Sequence, residues 1–314
     1  MSVRCAWCDD PRASRTITAS ERQFRELGAA AQRYRVCDGC GSLTADAPFA
    51  DLGRHYPTGY YAFGTIRDGA LTRLLRGART RHALGRGSWL GALVARRLGI
   101  PDDLAAVGRA GIVTGARILD IGAGRGRLLH DLVLAGERAV TGWDPFGPDD
   151  PGPPRLARDP SARRGPWDLV MYHHSLEHVD DPATELATSR DALAPGGRIL
   201  VRLPLAGSHA ALHYGADWVQ LDAPRHRTIP TATGVRALAG RNGLRVVSAW
   251  QDSTAFQFWG SEHYKAGGFL REGDPAATVP AARMAAWTAE ATARNAAGEG
   301  DQGAFVLARA DEMP

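Results

Sequence analysis

From Ala116 onward, short apolar runs alternate with stretches of helical period. Ile118, Leu119 and Ile121 form a run suited to a parallel strand covered on both faces. Gly122, Gly124 and Gly126 follow, Leu128 to Val133 open a helix, and the segment GERAVTGWD ends in Asp144. The same alternation continues downstream. It predicts strands near 117–121, 139–143, 168–172, 198–203, 244–250 and 304–309, with a short degenerate one near 155–158. Helices are predicted over 126–135, 183–193 and 233–241, with an alanine-rich one over Ala281–Ala297. Such a pattern builds an α/β, doubly wound, mostly parallel seven-stranded sheet with one antiparallel strand. Upstream, Leu71 to Leu98 is helix-like, and Pro101 and Asp102 start a further short helix. The expected division is a small module over 1–48, a helical connector capping the main domain's mouth over 49–111, and the main domain over 112–314. Tyr56, Tyr60 and Tyr61 suit either a substrate pocket or plain inter-domain packing.

The 314 residues, 44% hydrophobic and 23% charged, are those of an ordinary globular chain. No apolar run approaches the ~20 residues that span a bilayer. The start, MSVRCAWCDDPR, has no apolar signal core, so a cytoplasmic location without a membrane partner is expected. A net charge of +4 invites a nucleic-acid reading, which the distribution opposes. Lys265 is the only lysine, and the arginines are spread along the chain with acids between them. Arg79, Arg81 and Arg86, or Arg163 and Arg164, read as solvated faces.

All four cysteines fall in two pairs, Cys5 with Cys8 and Cys37 with Cys40. Two C-x-x-C knuckles about thirty residues apart suit a structural zinc ion held by four thiolates, hence an N-terminal zinc ribbon. Disulfides are the weaker reading in a reducing compartment.

The remaining chemistry lies where open α/β sheets bind ligands, at the carboxyl ends of their strands. Asp120 sits inside a core strand, which is costly without a partner. The glycine turn permits close backbone approach, and Asp144 is placed to accept ribose hydroxyls. After the strand PWDLVMY comes His173-His-Ser-Leu-Glu-His178, and later LAPGGRILVRLP. The G-x-G-x-G spacing is one residue shorter than the dinucleotide fingerprint, with an acid two residues before it. These features resemble the class I S-adenosylmethionine-dependent methyltransferases, with their Rossmann-like sheet. The resemblance implies S-adenosylmethionine held by Asp120, Gly122, Gly124, Gly126, Asp144 and His173. Asp222-Ala-Pro-Arg-His226 and Asp252 to Ser261 are similar to segments of a bacterial subgroup with cysteine-rich N-termini, found among polysaccharide and natural-product enzymes. That implies a small-molecule acceptor, such as a nucleotide-linked sugar or natural-product intermediate, methylated on a hydroxyl or activated carbon.

An aliphatic hydroxyl requires a base, and histidine suits neutral pH. His174 and His226 lead as catalytic residues, with His173 and His178 behind them; hydrogen-bonded structural histidines are the plainer alternative. His174, Glu177 and His178 lie at i, i+3 and i+4, so a helical face would present all three. That spacing is similar to the E-x-x-E-H metal site of ubiquinone-pathway O-methyltransferases, with histidine in the first position. A zinc-bearing ribosomal RNA methyltransferase is the alternative function. Against it, YHHSLEH stands where an N/D-P-P-Y/F segment would be, and no cysteine follows Cys40 for a covalent route. A scaffold without turnover is the third reading, opposed by the intact Asp120, glycine and Asp144 set.

Overall fold

Residues 4–28, 31–47, 52–56, 68–87, 89–150 and 152–312 are described by a computed structural model of the chain. The N-terminal part folds as β1 (Arg15–Ser20), β2 (Ala31–Val36) and β3 (Leu43–Ala45), paired antiparallel. In β2 the side chains of Gln32, Tyr34 and Val36 point inward while their neighbours face out, the period of a half-buried strand. Three helices follow: α1 (Ala70–Ala83), α2 (Trp89–Leu98) and α3 (Asp102–Ala110). The stretch expected as helix-like over 71–98 forms two helices, because Gly85, at φ +74°, and Gly87 end α1 before Trp89 starts α2.

The rest alternates as expected. Its elements are β4 (Ile118–Ile121), α4 (Arg127–Ala135), β5 (Val140–Trp143), β6 (Arg155–Ala157), β7 (Trp167–His173), α5 (Pro182–Asp191) and β8 (Leu193–Pro204). Then come α6 (His209–Tyr214), β9 (Thr228–Ile229), α7 (Ala232–Arg241), β10 (Leu244–Gln251), α8 (Phe256–Lys265), α9 (Ala281–Ala297) and β11 (Gln302–Arg309). The large sheet has the order β10-β11-β8-β7-β4-β5-β6, and only β11 runs antiparallel to its neighbours. The doubly wound expectation is met. The largest boundary difference is in β8, which begins at Leu193, opposite Trp167, and so takes in the Pro-Gly-Gly that precedes the strand expected near 198–203.

In α4, Leu128, Leu129, Leu132 and Ala135 are buried, the stripe a helix lays on a sheet. Leu104, Ala106, Val107 and Ala110 of α3 join the same core as Ile118, Leu129, Leu200 and Val306, while α1 packs on α4. Among the described residues of the connector, α3 packs on β8 of the sheet, α1 on α3 and α4, and α2 on α1. The cysteine module is equally embedded. Strand β3 pairs with β9, so one small sheet, β1-β2-β3-β9, joins the N-terminal module to the segment just before α7. Cys5, Trp7 and Cys37 share a core with Leu119, Ile121, Val235 and Leu238.

Candidate active site at the carboxyl edge of the sheet

Strand β4 ends in the glycine loop. Gly122 sits at φ +80°, and a Cβ there would fall 2.5 Å from Cβ of Ser175. Gly126 sits at φ +69°, and a Cβ there would clash only with the movable tip of the Leu156 side chain, so Gly122 is required for space and conformation and Gly126 for conformation. Ser175 locks the facing turn by donating to the Ile121 carbonyl at 2.6 Å. The Asp144 carboxylate accepts from the Gly124 amide (2.9 Å) and the Phe146 amide (2.8 Å). Each oxygen keeps a further lone pair for a ligand hydroxyl. Asp120 is 4% exposed, and its Oδ1 has no partner. Burial, reinforced by Asp103 and Asp144, pushes its carboxyl up to about 8. A buried acid without a donor beside an open glycine loop suits a positively charged ligand group.

Beyond Ser175 lies the histidine cluster. His174 occupies a left-handed backbone, φ +52°, and the nearby Asp222 another at φ +37°. Such strained positions persist where the surroundings over-determine them, often at functional sites. The His174 Nε2 accepts from the Arg202 guanidinium at 3.0 Å, so its proton sits on Nδ1, 3.3 Å from Glu177 Oε1. Arg202 is itself held by Asp252 at 2.7 Å. His178 Nδ1 donates to the Arg225 carbonyl (3.1 Å) and lies 2.9 Å from the Tyr56 hydroxyl; burial pushes this ring down to about 4. His226 Nδ1 donates to the Gln220 carbonyl at 2.8 Å, which leaves the Nε2 lone pair free. That Nε2 lies 3.8 Å from Glu177 Oε1 and 3.8 Å from Asp222 Oδ2. The rings of His178 and His226 meet edge to face, centroids 4.7 Å apart.

Glu177 is fully buried; its Oε1 faces the His174 Nδ1–H at 3.3 Å, and its Oε2 has no hydrogen-bond partner. Burial opposes its charge, but the surrounding imidazoles, His174 foremost, hold its carboxyl below the usual range. One ligating atom from each of Glu177, His178 and His226 lies within 4.8 Å of the other two. Three lone-pair donors therefore converge, an arrangement able to take a proton or to hold a divalent cation. His174 is outside this group. Leu176–His178 is a single tight 3₁₀ turn, so the expected α-helical face of His174, Glu177 and His178 does not form. His173 ends β7 with both ring nitrogens buried and unpartnered; burial first, then Arg202, pushes it down to about 3.

Sequence reasoning missed what supports His226. Arg225, fully buried, donates to Glu21 at 2.6 and 3.0 Å and to Asp222 at 2.6 Å. Glu21 also meets His55 Nδ1 at 2.7 Å, and Gln23 donates to Asp222 at 3.0 Å. The Tyr34 hydroxyl donates to the His226 carbonyl at 2.9 Å. The cysteine module thus grips the D-A-P-R-H segment on both sides of its histidine. Tyr56 touches this cluster and lies nearly parallel to Phe146, 6.0 Å away, beside Asp144; Tyr60 and Tyr61 lie outside the described residues. The four cysteines gather as expected, with Cys5 Sγ 3.6 Å from Cys40 Sγ and Cys8 Sγ 3.5 Å from Cys37 Sγ. One sulfur from each lies within 4.8 Å of the rest, a set that fits a tetrahedral metal.

Residues 94–249 match the family model described as a methyltransferase domain. Over 137 residues the chain is 33% identical to the ubiquinone biosynthesis O-methyltransferase of Aeromonas salmonicida, covering 37% of this chain and 56% of that protein. The chain thus spans about half the length of that relative. Among solved structures, the 1,6-didemethyltoxoflavin-N1-methyltransferase of Burkholderia thailandensis aligns with a TM-score of 0.41 and 17% identity, covering 93% of this chain and 100% of that one. The magnesium protoporphyrin IX methyltransferase of Synechocystis PCC 6803 aligns with a TM-score of 0.42 and 15% identity, covering 82% and 98%. The family match places a methyltransferase domain over residues 94–249, which include β4 to β8 of the large sheet.

Proposed function

We propose that the protein methylates a small-molecule acceptor, on a hydroxyl or activated carbon of a sugar or secondary metabolite, using S-adenosylmethionine. One juxtaposition carries this reading: the glycine loop with its unpartnered Asp120 lies across Ser175 from a buried cluster of proton acceptors. When bound, the donor supplies a methyl group on a positively charged sulfur. Asp144 would hold the ribose, Asp120 would face the donor's positive charge, and Gly122, Gly124, Gly126 and His173 would line its cleft. His226 is the proposed base, since its Nε2 is free while that of His174 is occupied by Arg202. Glu177 would stabilise the protonated ring, and His174 would act by positioning Glu177. Cys5, Cys8, Cys37 and Cys40 would hold a structural zinc ion.

Asp144→Ala is expected to weaken donor binding by well over tenfold, through loss of charge-assisted contacts. Unchanged calorimetric affinity would remove Asp144 from the ribose site. A second expectation concerns pH. A cationic ligand favours ionised Asp120, so binding lowers its raised pKa and releases a proton. Donor affinity should therefore rise between about pH 6 and pH 8, by up to roughly tenfold per unit, and flatten above. Without ligand the sign reverses: the folded state holds the extra proton, so stability falls as pH climbs toward 8. Asp120→Asn should abolish both slopes, and their persistence in that variant would count against this role. The acceptor class is tested with labelled donor against nucleotide-linked sugars and phenols. Donor binding without transfer to any of them would overturn the catalytic reading.

A further inference from the structure

The hairpin of α1 and α2 has a surface that the site does not explain. Leu71, Leu74, Trp89, Leu93 and Leu98 are 68%, 56%, 80%, 52% and 67% exposed. Between Gly69 and Pro101 the sequence holds arginines at 73, 76, 79, 81, 86, 96 and 97 and no acid. Some of these are used internally: Arg76 pairs with Asp68 and Asp131, Arg86 with Glu137, and Arg81 with the Leu134 carbonyl. Arg73, Arg96 and Arg97 are exposed and have no acidic partner among the described residues. The hairpin therefore shows solvent large apolar side chains interleaved with unneutralised guanidinium groups.

Its position adds to its chemistry. Asp68, just before α1, lies 3.7 Å from His130, one turn into the helix that starts at the glycine loop. Asp102, four residues after Leu98, lies 3.7 Å from Arg202, which holds His174. The ends of the hairpin that carry Leu71, Leu74 and Leu98 are thus at the rim of the cleft.

We propose that the α1–α2 hairpin docks the protein on an anionic lipid surface, with the cleft at the edge of the contact. Apolar side chains enter the headgroup boundary, and arginines meet lipid phosphates, as in interfacial helices. No described helix is long and apolar enough to cross a membrane, so the contact is lateral. A second copy of the chain is the poorer occupant, because a two-fold contact would oppose arginine to arginine with no acid between. Nucleic acid is also poorer, since four of the five exposed apolar residues are leucines that offer no stacking face. The proposal goes beyond the methyltransferase reading and needs no substrate to test.

The experiment is sedimentation of the full chain with vesicles of phosphatidylcholine alone, and with about one-third phosphatidylglycerol, over a range of salt. Expected is binding to the anionic vesicles only, weakened at least tenfold by high salt. Trp89→Ser with Leu93→Ser, and separately Arg96→Glu with Arg97→Glu, should each lower binding at least tenfold. All four side chains are exposed, so unchanged melting and unchanged donor affinity should confirm that fold and cleft are intact. No association, equal binding to both vesicle types, or full binding by either double variant would overturn the proposal. So would a dimer in light scattering that either variant dissolves, or RNA that binds this face more tightly than the vesicles do. Donor affinity is measured separately, so failure on vesicles leaves the methyltransferase reading standing, and the converse also holds.

Discussion

Arg225→Met is expected to destabilise the protein by about 3–5 kcal/mol, the range for stripping one partner from a buried ion cluster. The wild-type guanidinium is fully enclosed, between Glu21 at 0% and Asp222 at 8% side-chain exposure. Methionine fills similar space but leaves two buried carboxylates without their cation. The left-handed Asp222 and the adjoining His226 would then lose the anchor that fixes them. A pH signature separates this from a simple packing loss. Arg225 is a main cause holding Asp222 below the usual carboxylate range against burial, so removing it raises that carboxyl. In the wild type the depressed group gives stability that is present above its unfolded pKa and lost as acid approaches its folded one. In the variant the deficit should be largest near neutral pH and shrink toward pH 5. Urea melts at both pH values measure it, and an equal deficit at both would sink the electrostatic account.

The second large effect concerns the cysteines. Chelation, or Cys37→Ser, is expected to unfold the methyltransferase sheet together with the N-terminal module. A structural zinc ion contributes about 10–16 kcal/mol in isolated finger peptides. Whole domains are stable by only about 5–15 kcal/mol. Transmission follows from packing: Cys5, Trp7 and Cys37 lie in one core with Leu119 and Ile121 of β4, and β3 pairs with β9. One zinc per chain by metal analysis and a single melting transition are expected, with donor binding lost on chelation. Two separate transitions, with the later one untouched by chelator, would show the module to be detachable instead.

The candidate cofactor cleft was legible because its parts are neighbours along the chain. Strand, glycine bend, helix and the acid after the next strand fall within Ile118 to Asp144, and their types follow from period and glycine spacing. The helix boundaries near 126–135 and 233–241 were equally local, set by glycine at Gly126 and by the Thr231 hydroxyl, which caps α7. The Pro-Gly-Gly of β8 misled for a tertiary reason: an adjacent strand, Trp167 opposite Leu193, extends pairing past residues that usually turn. His174, Glu177 and His178 misled for a backbone one. Spacing implies a shared face only if the chain is α-helical, and His174 at φ +52° ahead of a 3₁₀ turn is not.

Local order along the chain was thus enough to define the sheet, the glycine loop and the two cysteine knuckles, since each depends on residues a few positions apart. Which histidine keeps a free nitrogen was decided only by folding. Arg202 takes the lone pair of His174, and the Gln220 carbonyl fixes the proton of His226 on the other nitrogen. Glu21 and Arg225, 204 residues apart, leave no periodic trace, because their bond depends on two distant segments being buried against each other. Burial without a partner, as at Asp120 Oδ1 and Glu177 Oε2, is likewise a property of the packed molecule, where loss of water sets what each group must bind.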